Sequence, residues 1–374
     1  ALAPRMDGEP TSVYTCFYYL THADCILLLI FYHLNLPALD VDWSSELVLE
    51  YMANIKVVVR VRPHSGAVTD DAVGIDSANR QRIFVCNRGE RTAEFAFDTC
   101  FWSADRGAEG TQAAVYETVG RPLIGSSFEG FNSTILAYGQ TGTGKSHTMV
   151  GRPTEDDKGL EPRLVEALFA RAAESSASGA RCRIEASKME VYNERIYDLL
   201  RYGGAPLRIR ESSRGVHVEG LTRVLCKDER TAQLFMAQGE QMRTTAATLM
   251  NATSSRSHAI TELSLTRESG DDADAVRYSK LTLVDLAGSE RSDRTGAQGD
   301  RLDESKSINR SLLALGSVIN ALTSPGRSHV PYRDRWHGLL TYLPTYLPTY
   351  LPTYLPTYLP TYLPTYLPTY LPTY

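Results

Sequence analysis

Between Gly139 and Ser146 the chain reads Gly-Gln-Thr-Gly-Thr-Gly-Lys-Ser, which fits the spacing G-x-x-x-x-G-K-[ST] at every fixed position. Glycines at those places let the backbone wrap tightly, so that several N–H groups aim at the phosphates of a nucleotide, and the helix that follows adds the positive end of its dipole. Lys145 would neutralise β- and γ-phosphate oxygens as a point charge, and the Ser146 hydroxyl would reach Mg²⁺. The bland reading is a glycine-rich turn. A strand candidate ahead of the loop (Phe131 to Tyr138) and a helix candidate behind it supply the context that the phosphate reading requires.

Two further stretches could serve the same chemistry. Val284-Asp285-Leu286-Ala287-Gly288 follows an apolar run. Asp285 could hold Mg²⁺ through water, and Gly288 could present its N–H to a γ-phosphate without a side chain in the way. Alone, D-x-x-G is a common turn. Asn251-Ala-Thr-Ser-Ser-Arg-Ser-His258 clusters hydroxyls around one arginine, and composition by itself makes it a polar loop.

Taken together and in order, GQTGTGKS, N-x-x-S-S-R-S-H and D-L-A-G-S-E (Asp285 to Glu290) resemble the phosphate loop and two switch loops of the kinesin motor family. Arg60-Val-Arg-Pro63, Glu190 to Leu200, Ser305 to Gly316 and Val330-Pro-Tyr-Arg-Asp334 extend the resemblance over about 280 residues. It implies a P-loop NTPase-type three-layer α/β fold, with a central mixed sheet flanked by helices. It implies ATP and Mg²⁺ as cofactors. Arg60, Pro63 and His147 match positions that enclose the adenine, while Gly139, Gln140, Thr141, Gly142, Thr143, Gly144, Lys145 and Ser146 would hold the triphosphate. Ser254 and Ser255 match the first switch, with Ser255 approaching Mg²⁺ and the γ-phosphate alongside Ser146 and Asp285. Arg256 and Glu290 match a salt bridge that closes the two switches, and Glu290 would help take the proton from attacking water. The resemblance thus makes Lys145, Ser255, Arg256, Gly288 and Glu290 the catalytic set. Phosphoryl transfer asks for this kind of positioning and charge neutralisation rather than covalent help.

The resemblance also implies a filament partner. Arg291, Arg294, Arg301, Lys306 and Arg310 alternate with Asp293, Asp300, Asp303 and Glu304, and Arg327, Arg333 and Arg335 follow. On composition alone this is a solvated charged face. In kinesins the matching loop and helix lie on the acidic microtubule surface, so the contact should weaken with salt. The implied function is an ATP-hydrolysing microtubule motor domain, in which the nucleotide state of two switch loops governs microtubule binding and movement. It belongs in the cytoplasm, on the microtubule cytoskeleton. The alternative is a non-motile kinesin fragment that binds nucleotide and tubulin. An unrelated P-loop GTPase would need an N-K-x-D base-reading motif, which the sequence lacks. No cargo-binding segment is identified.

The elements that must position these residues alternate between strand and helix. Ile55 to Val61, Phe131 to Tyr138 and Lys280 to Leu286 are apolar strand candidates, and Cys182 to Val191 is a weaker one. Pro162 reads as the first position of a helix that places Leu164, Val165, Leu168 and Phe169 on one face. In Ser305 to Leu322 the residues Ile308, Leu312, Leu315, Ile319 and Leu322 recur at helical spacing. Such alternation indicates layered α/β architecture.

The 374 residues leave room for a large core, with 43% hydrophobic and 22% charged residues. A net charge of −5 gives no global signature for nucleic acid. Six scattered cysteines, without a C-x-x-C pair, argue against a disulfide framework and for a reducing compartment.

Three regions are expected: an atypical extension over 1–53, an incomplete kinesin-like motor domain over 54–334, and an aberrant junction with a low-complexity repeat over 335–374. The repeat is Thr-Tyr-Leu-Pro, eight copies and then Thr-Tyr, from Thr341 to Tyr374. A proline every fourth residue forbids a helix or an interior strand. The apolar run Val13 to Leu36 is broken by His22 and Asp24, so no membrane span is expected. After Asp334 the family's remaining helices, last core strand and neck linker find no counterpart, and residues 1–53 and 335–374 read as products of a misassembled gene model. The missing strand would lie beside Ile55 to Val61, so a bare sheet edge is expected there. Stepping by the chain as written is not expected.

Overall fold

The computed structural model describes residues 25–34, 55–62, 73–76, 79–87, 90–103, 110–201, 203–212, 215–249, 254–269 and 276–290, with helical residues at 308, 310–315 and 317. The repeat, the cation-rich stretch 291–307 and the segment 330–334 lie outside the described residues, as does Pro63.

A nine-stranded mixed sheet forms the centre of the molecule, in the order β12-β8-β13-β14-β7-β1-β2-β6, with β9 paired to β8. These strands are β1 (Cys25–Leu34), β2 (Ile55–Val61), β6 (Thr99–Trp102), β7 (Phe131–Tyr138), β8 (Ala180–Tyr192), β9 (Arg195–Asp198), β12 (Val224–Cys226), β13 (His258–Ser269) and β14 (Val276–Asp285). Smaller sheets join β3 (Val73–Ile75), β4 (Arg82–Asn87) and β5 (Glu90–Ala96), and β10 (Arg208–Ser212) with β11 (Gly215–Glu219). The expected strands are present with shifted bounds: β14 begins four residues before Lys280 and stops at Asp285, and β8 extends beyond Cys182 to Val191 at both ends.

The bare edge expected beside Ile55–Val61 is not found. Strand β1, from the N-terminal extension, lies between β2 and β7 and runs antiparallel to both. Leu29 sits opposite Val57 on one side and Leu136 on the other. A run such as CILLLIFYHL suits that place, because an inner strand covered on both faces needs apolar residues on both.

Side-chain alternation along the inner strands feeds two cores. From β7, Ile135 and Ala137 enter one cluster and Leu136 the opposite one; from β14, Leu281 and Leu283 divide likewise from Val284. The first core is covered by α1 (Gln112–Val115), which runs through a π-helical turn (Tyr116–Gly120) into α2 (Arg121–Phe128), together with α4 (Leu160–Ala177) and α5 (Glu229–Leu249). The second is covered by Val218 of β11 and by Leu312 and Leu315 of the 310–315 helical segment. Sheet and two coverings make the three expected layers.

Helix α4 begins at Leu160, so Pro162 stands inside its first turn rather than at its first position; donors in that turn have no intrahelical partner to lose. Leu164, Val165 and Leu168 are buried as expected, and Phe169 packs half-buried against the core. Asp228 caps α5, its Oδ1 accepting from the Thr231 N–H at 2.7 Å. Among the described residues no helix is long and apolar enough to cross a membrane.

Candidate functional site

Strands β7 and β14 are parallel neighbours, with Asp285 opposite Ala137. Their C-terminal ends therefore release the 139–146 loop and the 286–290 loop side by side. Strand β13 is antiparallel to β14 and starts where β14 stops, Ala259 facing Asp285, so the 254–256 turn enters at the same rim. Three segments far apart in sequence meet there because of strand order, at the edge where open α/β sheets bind ligands.

The loop after β7 leads into α3 (Lys145–Met149), a single turn whose preceding residue Gly144 has φ 101°. A side chain would strain that left-handed conformation. Lys145 is buried, and its Nζ donates to the carbonyls of Gly139 at 2.8 Å and Gln140 at 2.9 Å. Burial holds its ammonium below the usual lysine range, while Asp285 and Glu290 pull the other way. Thr143 folds its hydroxyl back onto the Gln140 carbonyl at 2.9 Å. Thr141 and Gly142 are exposed at the tip of the loop, and Ser146 and His147 are exposed on α3. Partial burial of the ring and the Arg60 charge hold the His147 imidazole below its usual range.

The Ser146 hydroxyl donates to Asp285 Oδ2 at 2.6 Å. The other oxygen, Oδ1, is buried and accepts no hydrogen bond from the described residues. A spare carboxylate oxygen beside a serine hydroxyl is a pair of hard donors that fits Mg²⁺. Among the described residues no three His, Cys, Asp or Glu side chains cluster as a metal site, so a cation here would also draw on water and phosphate.

Every backbone donor from Leu286 to Ser289 has an acceptor, on β7, on β13 or in the loops that adjoin them. Leu286 N–H donates to the Ala137 carbonyl at 3.2 Å, Gly288 N–H to the Ser255 carbonyl at 2.8 Å, and Ser289 N–H to the Gly139 carbonyl at 3.1 Å. Ala287 N–H donates to His258 Nδ1 at 3.0 Å. A Cβ at Gly288 would collide with the side chains of Glu290 and Thr141 and would have to push their contact apart. Glu290 places both carboxylate oxygens on Thr141, Oε2 accepting from its N–H at 2.9 Å and Oε1 from its hydroxyl. Among the described contacts, no ion pair joins Arg256 to Glu290. Ser255 and Arg256 lie in the 254–256 turn, and the side chain of Ser254 falls outside the described residues.

Arg60 lies in the interior beside α3. Its guanidinium is buried and held by four acceptors, donating to Ser103 Oγ at 3.0 Å, Gln112 Oε1 at 2.7 Å, Thr148 Oγ1 at 3.0 Å and the Gly110 carbonyl at 2.9 Å. Burial lowers it to about 10. It ties β2 to α1 and to α3, the helix that carries His147. The arginine that reaches the phosphate loop is Arg62, which donates to the Gly142 carbonyl. Strand alternation gives the reason, since residues two apart share a face but only the later one projects past the strand end at Val61.

The sequence reading also missed Arg243. It is 1% exposed, donates to Asp285 Oδ2 at 3.0 Å and to the Ser257 carbonyl at 3.3 Å, and so ties α5 to both loops. Burial works against its charge, but Asp285 and Glu240 outweigh that and raise it. A signal was available: Ala232, Phe235, Met236 and Gly239 form the buried stripe of α5, and Arg243 continues it one turn on.

Residues 60–343 match the kinesin motor domain family. The chain is 41% identical over 318 residues to the human kinesin-like protein KIF13B, covering 78% of this chain and 17% of that protein. It is 40% identical over 310 residues to the kinesin-like protein unc-104 of Caenorhabditis elegans, covering 78% and 19%. It thus spans about a fifth of the length of these relatives. Among solved structures it is similar to a fast kinesin (TM-score 0.67, 37% identity, 75% of this chain and 79% of that one). It is also similar to KIF14 with ADP in complex with a microtubule (TM-score 0.66, 38% identity, 77% and 84%). Sequence, fold and the meeting of three loops at one sheet edge agree, and the chain belongs to the kinesin motor domain family.

Proposed function

We propose that this chain is an ATP-hydrolysing motor domain whose nucleotide state governs its grip on microtubules. The observation that carries the reading is the Lys145, Ser146 and Asp285 constellation at the adjoining ends of β7 and β14. Gly139 to Ser146 would wrap the triphosphate, with Lys145 exchanging its two loop carbonyls for β- and γ-phosphate oxygens. Ser146, Ser255 and, through water, Asp285 would hold Mg²⁺, which supplies charge neutralisation on the phosphates. His147 and Arg62 border the loop on the side where a base would lie, and Pro63 belongs with them by resemblance.

Gly288 makes the site a sensor. Its N–H is held by the Ser255 carbonyl, and a γ-phosphate would compete for the same donor. Exchange of that one bond would release the 254–256 turn from the loop after β14. Glu290 would then leave Thr141 and meet Arg256, closing the two loops over the nucleotide and placing a carboxylate near the attacking water. The expected partner is the microtubule, as for the KIF14 structures. Residues 54–334 would form the motor unit, with β1 from the extension built into its sheet. The test is turnover with and without polymerised tubulin. Lys145→Ala should lose ATP turnover altogether, and turnover at the unmodified rate would remove the phosphate-loop assignment.

A further inference from the structure

Ala287 is the member of the 286–289 loop whose N–H is taken by a side chain rather than by a backbone carbonyl, and that side chain leads away from the nucleotide site. His258, 3% exposed at the start of β13, accepts the Ala287 N–H on Nδ1 at 3.0 Å. Nδ1 is thereby the unprotonated nitrogen, so the neutral ring carries its proton on Nε2. Nε2 lies 3.0 Å from Ser311 Oγ, and the tautomer makes it the donor. Ser311, 6% exposed, donates its own hydroxyl to the Ile308 carbonyl at 2.7 Å. The result is a one-way chain of three hydrogen bonds, from the Ala287 N–H through the imidazole and the Ser311 hydroxyl to the backbone of the helical segment at 308–317. The two bonds made by the imidazole are buried, so no water can substitute for them without opening the core. The same segment carries Arg310, which is exposed on its outer side and lies 3.6 Å from Glu194 in the β8–β9 turn.

We propose that His258 and Ser311 are positioning residues that transmit movement of the Ala287-Gly288 backbone to the 308–317 segment, making the filament-facing cation Arg310 responsive to the γ-phosphate. The inference rests on the motor reading above and adds the polar link through which the nucleotide loop and the outer face exchange information. Apolar packing of Leu286 with Leu315 holds the two elements together. It carries no direction, whereas the hydrogen-bond chain fixes the register of one on the other. When Gly288 N–H changes its acceptor, the backbone next to Ala287 is displaced, and the imidazole follows it or loses its bond.

The readout is the ratio of microtubule affinities with a non-hydrolysable ATP analogue and with ADP, measured by co-sedimentation of the full chain. Linkage ties this ratio to the effect of microtubules on nucleotide affinity. Ser311→Ala removes the far acceptor and leaves the nucleotide loops untouched. It should keep ATP affinity and basal turnover within about twofold while the ratio shrinks at least about fivefold, the lower end of ordinary coupling between sites. His258→Asn can keep an acceptor for Ala287 but cannot reach Ser311, and should show the same loss. Ser317→Ala, which removes an exposed hydroxyl bonded to the Leu313 carbonyl on the same segment, should change nothing. An unchanged ratio in Ser311→Ala overturns the proposal. So does an equal fall of both affinities with the ratio kept, since that is the mark of a merely structural bond. Failure of the unmodified chain to bind ATP would instead strike the motor reading itself.

Discussion

A proline at Leu29 tests the most unexpected element of the fold. Leu29 lies in the middle of β1, opposite Val57 of β2 and Leu136 of β7. A strand paired on both sides directs each N–H into one ladder or the other, so proline there must delete one bond and strand one carbonyl. An orphaned buried acceptor costs about 1–3 kcal/mol. Leu29→Ile keeps the donor and suits a strand, so the difference between the two variants isolates the backbone bond. The whole strand is worth far more. Seven register pairs join it to β2 and eight to β7. At about 1 kcal/mol net for each ladder bond the total rivals the roughly 5–15 kcal/mol that a domain has to lose. Removal of residues 1–36 should therefore leave no cooperative unfolding transition and no ATP binding, because β7 delivers the phosphate loop. Urea unfolding followed by far-ultraviolet circular dichroism reads both variants. If Leu29→Pro unfolds at the same midpoint as Leu29→Ile, β1 does not sit between β2 and β7, and the reasoning is refuted.

Glu290→Ala should bind ATP but turn it over at least about 100-fold more slowly, the usual scale for a proton-transfer group. Stopped-flow binding beside phosphate release checks this, and normal release would remove Glu290 from the closing role. Lys188 is 1% exposed and 2.9 Å from the buried Glu161, with Glu240 at 3.3 Å. Lys188→Met should cost about 3–5 kcal/mol by stranding the Glu161 carboxylate, and adding Glu161→Met should restore most of it, as denaturant midpoints will tell. His258 is pushed down to about 3 by burial and the Arg243 charge, with Lys145 acting the same way and Asp285 opposing. A depressed folded value means that the contribution is complete above the unfolded value near 6.5 and is lost as pH falls toward 3. Unfolding free energy should drop by about 2 kcal/mol between pH 8 and pH 5 relative to His258→Asn. Equal slopes in the two proteins would show that the imidazole titrates freely.

The chemistry of this chain is written in short contiguous motifs, and those were readable because their function depends on local spacing. Gly139 to Ser146 must follow a strand and open a helix, and Asp285 to Gly288 must leave a strand end; both conditions can be checked from apolar runs alone. The buried faces of α4 and β7 were legible for the same reason, since helical and strand periods reveal which side is covered. What the residues could not state is who stands beside whom. Strand β1 reads as a loose apolar run until β2 and β7 are seen on either side of it, because pairing across about a hundred residues leaves no local trace. Arg60 and Arg62 look equivalent as text, yet the strand end at Val61 sends one inward to Gln112 and Thr148 and lets the other reach Gly142. Arg243 and His258 gain their roles only when strand order brings α5, β13, β14 and the 308–317 segment together. Sequence determined which groups are available for phosphate chemistry. Tertiary structure alone decided which buried charges and imidazole connect them, because desolvated polar groups are satisfied by neighbours in space rather than by neighbours along the chain.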